Sequence, residues 1–208
     1  MSKYLIVGLG NPGQEYAQTR HNLGWLAVEA LAKRYQSSFR EERSMHTLLA
    51  DIRIDQTQAL LSLPTTYMNE SGRAVQAIAQ YFKIPLTQIL IVQDELDFPF
   101  GTFAFRDGGN AGGHNGIGSI YEQTGTMQFA RLRMGIGRPP APRSSKDYVL
   151  ERFSSEEQAK CEELFKRSSD AIECWAKDGL TRAMNLWNGV KHDSVSDSTT
   201  PLGSDRKL

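Results

Sequence analysis

The chain has 208 residues, carries no net formal charge at neutral pH, and is 39% hydrophobic. This length supports one sizeable core, so we predict a single domain. The neutral balance excludes the strongly basic composition of indiscriminate nucleic-acid binders, while leaving room for a local basic patch. No apolar run approaches the ~18 residues of a membrane span, and Met1–Tyr4 does not read as a signal peptide, so we expect a cytoplasmic protein.

Strands and helices are predicted to alternate along the chain. Short apolar runs predict strands over residues 5–9, 48–54, 58–63, 89–92, 102–105 and 132–136. Helical spacing predicts helices over residues 22–35, 71–82, 117–122, 154–177 and 181–187, the first with Asn22 as its N-cap. This order predicts an α/β fold. Several strands follow one another without room for a crossover helix, so the central sheet should be mixed and flanked by helices.

The predicted domain covers residues 1–188. Within it, Pro139–Ser145 is rich in proline and predicts a stiff, exposed connector. Ser154 and Glu157 have the spacing of a capping box, which predicts the start of the long helix. Residues 189–208 are polar and poor in apolar side chains, and they are predicted to form a disordered tail.

Polar side chains follow three of the predicted strands. Asn11 comes just after the first strand, Asp94 follows the strand at 89–92, and Asn69 lies shortly after the strand at 58–63. Sites in α/β sheets gather at the carboxyl ends of strands. We therefore expect these side chains to converge on one edge of the sheet, with His21 close enough in sequence to Asn11 to join them.

The combination of one histidine, one aspartate and three asparagines favours hydrolytic chemistry. His21 titrates near neutral pH and suits a general base, with Asp94 as the partner that fixes its tautomer. The sequence has no Gly-x-Ser-x-Gly elbow, so water is the expected nucleophile. Asn11, Asn69 and Asn115 offer donors and acceptors without charge, which suits a peptide main chain or an oxyanion. Each residue alone also fits a surface histidine, a turn or a helix cap.

Two other kinds of site receive less support. Residues 8–13 match the Gly-x-Gly-x-x-Gly dinucleotide fingerprint, but Pro12 interrupts the turn and helical spacing resumes only near Asn22. The four histidines show no paired ligand spacing, so no metal site is predicted. A nucleotide-binding enzyme and a non-catalytic RNA-binding protein remain as alternative functions.

A local basic strip lies between residues 131 and 152. It holds six basic residues against two acidic ones, and Arg106 precedes the glycine-rich segment nearby. Such runs are usually solvated faces, but an arginine here would also suit a phosphate of an RNA-bearing substrate.

Six segments, in order, resemble the bacterial-type peptidyl-tRNA hydrolase family. They are residues 7–13, 19–24, 64–72, 94–101, 112–116 and 131–137, and they include Asn-Pro-Gly at 11–13, Thr-Arg-His-Asn at 19–22, and Gly-Gly-His-Asn-Gly at 112–116. The resemblance covers roughly residues 4–188. It implies a monomeric α/β enzyme without metal or cofactor. Its substrate would be prematurely released peptidyl-tRNA, whose ester between the peptide and the tRNA 3′ end is hydrolysed so that tRNA is recycled.

The resemblance also implies a role for individual residues. His21 would be the base and Asp94 its orienting partner, while Asn11, Asn69 and Asn115 would bind the peptide main chain and the 3′ end or position the water. Four further residues would line the same cleft: Tyr16, Tyr67, Met68 and His114.

For the tRNA, the resemblance implies a basic clamp and a lid. Arg106 and Arg133 would hold the 5′ phosphate, and residues 138–150 would form a mobile flap over the site. The chain departs from the family pattern at Gln93, Asn110 and Gly118. The departure at Gly118 weakens one expected phosphate contact.

Overall fold

A computed structural model of the protein describes residues 3–189, in which a single seven-stranded sheet forms the centre. The strands are β1 (Lys3–Gly8), β2 (Arg40–Glu42), β3 (Thr47–Ile54), β4 (Thr57–Pro64), β5 (Ile89–Glu95), β6 (Phe103–Asp107) and β7 (Ala130–Gly135). Their order across the sheet is β2-β3-β4-β1-β5-β7-β6. The four central strands run parallel, and each outer strand pairs antiparallel with its inner neighbour, so the prediction of a mixed sheet in one α/β domain is confirmed.

Helices cover both faces of this sheet. They are α1 (Leu23–Arg34), α2 (Ser71–Phe82), α3 (Asn115–Thr124), α4 (Ser145–Val149), α5 (Ser155–Asp178) and α6 (Leu180–Trp187). Helices α1, α5 and α6 pack in one hydrophobic cluster, and α2 and α3 pack in another on the opposite face. Among residues 3–189, no helix combines the length and apolar character needed to cross a membrane.

The central strands are apolar on both faces because both faces are covered. Leu5 and Val7 of β1 enter the cluster with α2 and α3, while Ile6 between them enters the cluster with α1 and α5. All three are fully buried. This explains why the strand reads as a continuous apolar run rather than an alternating one.

Most predicted elements are confirmed, and the differences are local. Helix α2 has the predicted bounds, and the capping box of Ser154 and Glu157 begins α5 as expected. Two short elements escaped prediction: β2, and α4, which begins at the end of the predicted connector, where the Ser144 side chain caps it. Strand β5 continues through Glu95, so Asp94 lies within the strand rather than after it.

The parallel strands place their carboxyl ends at one edge of the sheet. Close packing there depends on Gly24 in the first turn of α1, since a Cβ at this position would collide with the Val92 carbonyl of β5 and the backbone of Leu9. The missing side chain therefore lets α1, and the loop that precedes it, approach the ends of β1 and β5. Of the predicted tail, residues 190–208 lie outside the described part of the chain.

Candidate active site

A cavity of about 650 Å³ opens at the carboxyl edge of the parallel strands, a size typical of ligand sites. Segments that follow β1 and β4 contribute to its walls, together with the end of β5, the glycine-rich loop before α3, and the helix α4. The predicted convergence on one edge of the sheet is therefore observed. Its lining includes most of the site residues named from the sequence: Asn11, His21, Tyr67, Met68, Asn69, Asp94, His114 and Asn115.

Asp94 lies between two imidazoles in the wall of the cavity. Its carboxylate lies 2.9 Å and 3.1 Å from Nδ1 of His21, and Oδ1 lies 3.0 Å from Nε2 of His114. The Asp94 side chain is only 3% exposed, and that of His21 11%. An ionised carboxylate only accepts hydrogen bonds, so each facing nitrogen carries a proton.

The surroundings of Asp94 and His21 shift their pKa values in opposite directions. Burial favours the neutral form of Asp94, but the two histidines outweigh it and hold the pKa of the carboxyl well below its usual range. Burial likewise opposes a charged His21, yet the charge and hydrogen bond of Asp94 prevail and raise the pKa of His21 above its ordinary value. The carboxylate is therefore ionised at neutral pH and supports a proton on the imidazole.

The two histidines differ in what their second nitrogen does. His114 is the N-cap residue of α3, and its Nδ1 accepts a hydrogen bond from the Gly116 N–H at 3.2 Å. Both nitrogens of His114 are thus engaged and its neutral tautomer is fixed. In neutral His21, Nδ1 holds the proton against Asp94, so Nε2 carries the lone pair.

Asn11 is held by a reciprocal contact with Asn22. The Asn11 N–H donates to Oδ1 of Asn22, and Nδ2 of Asn22 donates to the Asn11 carbonyl, both at 2.9 Å. Asn22 occupies the predicted N-cap position of α1, but its side chain makes no cap hydrogen bond and joins the two ends of the loop instead. Oδ1 of Asn11 accepts from the Met68 N–H at 2.8 Å, which fixes the orientation of this amide.

The wall that follows β4 is a short 3₁₀ helix, Met68–Glu70. Met68 is buried, and its carbonyl accepts a hydrogen bond from the Ser71 hydroxyl at 2.9 Å. Asn69 and the exposed Tyr67 flank it on the cavity side. Tyr16 is not among the lining residues. It contacts Tyr67 edge-on, with ring centroids 6.3 Å apart, and so supports that wall from outside.

The cavity also has lining residues that were not named as site residues from the sequence. Several of them lie within residues 138–150, the expected flap. The sequence signal that could have predicted α4 is Ser144, whose side chain caps this helix by accepting from the Asp147 N–H. The additional lining residues come from the end of β5, the glycine-rich loop and the region of α4: Glu95, Leu96, Asp97, Ala111, Gly112, Gly113, Arg138, Ser145, Lys146, Val149 and Leu150.

The three central side chains also form a cluster that the sequence analysis missed. One ligand atom from each of His21, Asp94 and His114 lies within 4.8 Å of the others, a spacing that could hold a metal ion. Sequence spacing gave no sign of this cluster, because the three residues come from different segments and meet only in the fold. Their contacts with one another are hydrogen bonds from imidazole N–H groups to a carboxylate.

Arg106 and Arg133 lie outside the cavity lining and differ from each other. Arg106 is exposed on β6, opposite Arg131 of β7. Arg133 pairs with Glu95 at 2.7 Å and covers the ring of Phe98. Arg131 itself is buried and donates to carbonyls of the glycine-rich loop, so it is a structural residue rather than part of a solvated strip. Burial and its arginine neighbours lower the pKa of Arg131 to about 10.

The dinucleotide fingerprint at residues 8–13 does not have the structure that this motif requires. Strand β1 ends at Gly8, and the next helical residues are Arg20–Asn22, followed by α1. A pyrophosphate site needs a helix that starts at the glycines. The segment instead forms a loop, as the position of Pro12 predicted.

Comparison with known proteins assigns the chain to a family. A family model described as peptidyl-tRNA hydrolase matches residues 5–195. The peptidyl-tRNA hydrolase of Chloroflexus aggregans is 48% identical over 186 residues, covering 89% of this chain and 98% of the relative. That of Gloeobacter violaceus is 46% identical over 197 residues, covering 95% of this chain and 100% of the relative.

A solved structure agrees with this assignment. The crystal structure of peptidyl-tRNA hydrolase from Acinetobacter baumannii superimposes with a TM-score of 0.84 at 37% identity, covering 89% of this chain and 94% of that one. Sequence and fold match over nearly the same length. The chain therefore belongs to the peptidyl-tRNA hydrolase family of enzymes.

Proposed function

We propose that the protein hydrolyses the ester between the peptide and the 3′ end of tRNA in prematurely released peptidyl-tRNA, with water activated by His21 and Asp94. The observation that carries this mechanism is the pair itself: Nδ1 of His21 lies 2.9 Å from a buried carboxylate inside the cavity. Nε2 then carries the lone pair that a general base needs. Recycling of tRNA is the biological outcome of this reaction.

The two imidazoles have separate roles in this proposal. His21 takes the proton from water through Nε2, and Asp94 stabilises the imidazolium that results. His114 donates to the same Asp94 oxygen at 3.0 Å and accepts from a backbone N–H, so both of its nitrogens are already hydrogen-bonded within the protein. It acts by holding the carboxylate in place and by lining the cleft.

Asn11 is proposed to stabilise the negative oxygen that forms when water attacks the ester carbonyl. Its Oδ1 is occupied by the Met68 N–H at 2.8 Å, so the N–H₂ group is the part of the amide that can serve the cavity. A fixed donor of this kind stabilises a developing oxyanion without having to reorganise.

Substrate recognition is proposed to use neutral groups around the cleft. Asn69 and Asn115 line the cavity beside Met68 and Tyr67. Their amides suit the peptide main chain, whose groups are the same in every peptide sequence. The adenine base at the tRNA 3′ end can stack on the exposed ring of Tyr67. Tyr16 supports Tyr67 through its edge-on contact.

Arg106 and Arg133 are proposed to hold a phosphate of the tRNA. Both stand beside Arg131, whose pKa is lowered by burial and by these two charges, and Glu95 pairs directly with Arg133. An excess of positive charge at one place suits a phosphate.

The flap role of residues 138–150 fits the position of α4 in the cavity wall. With tRNA as partner, we propose that the protein acts in the cytoplasm as a monomer, using no metal or cofactor.

The proposal is tested by the release of tRNA from N-acetyl-aminoacyl-tRNA and from aminoacyl-tRNA with a free amino group. Wild type should cleave the first and spare the second, because amide contacts recognise the peptide main chain. His21→Ala should lose at least about 10²–10⁴ in turnover. Binding of tRNA without cleavage by the wild type would instead favour a non-catalytic RNA-binding protein, and equal rates on both substrates would contradict the proposed recognition.

A further inference from the structure

Arg20, the neighbour of the proposed base, is a charged residue that is almost entirely buried. It lies on the same 3₁₀ helix as His21 and is only 7% exposed. A buried guanidinium is stable only if its charge and its N–H groups are satisfied. What Arg20 contacts therefore shows what holds the His21 loop.

The main partner of Arg20 is Glu157, which it contacts through two parallel hydrogen bonds. Nε lies 3.0 Å from Oε1, and the second guanidinium nitrogen lies 2.8 Å from Oε2. Such a bidentate pair fixes direction as well as distance. The Glu157 side chain is itself only 13% exposed, so solvent screens this pair far less than an ion pair on the surface.

Arg20 also contacts α4 and the segment that follows it. Its guanidinium lies over the Tyr148 ring, 4.2 Å from the centroid, and 3.4 Å from the Glu151 carboxylate. The Arg20 N–H donates to the Glu151 carbonyl at 3.0 Å, and the Phe153 N–H donates to the Gln18 carbonyl at 3.2 Å. Backbone and side chain together join residues 18–20 to residues 148–157.

This junction connects the base to the wall of the cleft. Val149 and Leu150, at the end of α4, line the same cavity as His21. Glu157 also accepts a hydrogen bond from the Ser154 N–H at 2.7 Å, as part of the capping box that begins α5. One carboxylate thus fixes the start of α5 and the loop that carries His21.

We propose that Arg20 is a positioning residue, which through its bidentate pair with Glu157 sets the position of His21 against Asp94 and against the α4 wall of the cleft. This inference rests on the proposed role of His21 as the base. Arg20 takes no part in the proton transfer. Small displacements of a reacting group have large effects, since about 1 Å of misplacement lowers a rate by up to about 10²-fold.

The first test compares two variants that loosen the pair of Arg20 and Glu157 with one that breaks two other ion pairs. Arg20→Lys keeps the charge but loses the fork, and Glu157→Gln keeps an acceptor for the cap but loses the charge. The control is Arg34→Met, which removes ion pairs from α1 to Asp170 and Glu173 of the same helix, α5, neither of which involves residues 18–21.

Turnover of N-acetyl-aminoacyl-tRNA is measured with each variant and corrected for the folded fraction. Arg20→Lys and Glu157→Gln should each lower kcat by about 10- to 100-fold with little change in KM, and the double variant should be no worse than the worse single one. Arg34→Met should keep its kcat. A kcat within about twofold of wild type in both single variants, or a loss confined to KM, would overturn the proposal.

The second test observes His21 directly by NMR titration of its imidazole and does not depend on turnover. The titratable groups that face this ring are Asp94 on β5 and His114 before α3, whose ring centroid is 5.1 Å away. Arg20→Lys leaves all charges in place, so a lower pKa of His21 would report a weaker contact with Asp94. An unchanged pKa in this variant would show that Arg20 only stabilises the fold.

The two tests also separate this inference from the proposed function. If His21→Ala retained wild-type turnover, the role of His21 as the base would be wrong, whatever the titration showed. If His21→Ala lost activity while the Arg20 variants kept both their kcat and the pKa of His21, only the positioning role would be wrong.

Discussion

Replacement of Asp94 by asparagine tests whether the charge of this carboxylate, and not its shape, supports the base. The carboxylate accepts from Nδ1 of His21 with both oxygens, at 2.9 Å and 3.1 Å, and from Nε2 of His114 at 3.0 Å. Asparagine offers one oxygen and one N–H₂ group. If its oxygen replaces Oδ1, its N–H₂ group opposes the proton on His21. The flipped amide turns its donor toward both histidines.

With the oxygen at the Oδ1 position, Nδ1 of His21 keeps its nearer acceptor but faces a donor in place of Oδ2. The flipped amide offers Nδ1 only a donor at the nearer position, which favours the tautomer that has its proton on Nε2, where the lone pair is needed. We expect Asp94→Asn to lower kcat by about 10²–10³-fold, or about 3–4 kcal/mol in the activation barrier, and by less than His21→Ala. In wild type, we expect the rate to rise with pH as His21 loses its proton, at a pKa above the ordinary value of histidine. Without the carboxylate, burial lowers this pKa, so the rise should move to lower pH.

The assay is steady-state cleavage of N-acetyl-aminoacyl-tRNA from about pH 5 to about pH 9. Asp97→Asn is the matched control, because Asp97 also lines the cavity but pairs with Arg138 at its rim. This control should keep the wild-type pH profile. An Asp94→Asn variant with normal kcat and an unmoved acid limb would refute the assignment of Asp94 as the partner of the base.

Three further variants test single contacts. Asn11→Asp keeps the acceptor for the Met68 N–H but removes the donor, so kcat measured in the same assay and corrected for the folded fraction should fall about 10²-fold or more. Arg131→Met leaves two carbonyls of the glycine-rich loop without their donor and should cost about 1–3 kcal/mol in denaturant unfolding. Ser154→Ala removes the cap of α5 and should cost about 1 kcal/mol in the same measurement. An unchanged kcat in the first variant, or an unchanged free energy of unfolding in the other two, would contradict the contact concerned.

The sequence predicted the fold well where one physical signal dominated. Strand β1 and helix α2 combine strong apolar patterns with clear ends, and α2 has the predicted bounds. The two elements that were not predicted, β2 and α4, have weaker apolar patterns and less clear ends. Strand β2 is three residues of arginine and glutamate at a sheet edge, paired only with β3, and α4 is a single short turn after a proline-rich segment.

The sequence was enough to predict which residues form the candidate site, but not which hydrogen bonds they make. Topology alone brings Asn11, Asn69 and Asp94 to one edge of the sheet, because the strands that carry or precede them run parallel. The contact of Asn22 with Asn11, in place of a helix cap, could not be predicted, because an asparagine before a helix fits either use. The burial of Arg131 was equally hidden, since a basic run does not reveal which member faces inward.

His21 and His114 differ in their hydrogen bonds, and this difference cannot be read from the sequence. Both donate to Oδ1 of one buried carboxylate, and both rings line the same cavity. What distinguishes them is the backbone: the Gly116 N–H at the start of α3 occupies the second nitrogen of His114. Because the helix terminus occupies that nitrogen, Nε2 of His21 is the imidazole nitrogen that we propose as the base. In the proposed mechanism, the choice between the two histidines therefore follows from where α3 begins.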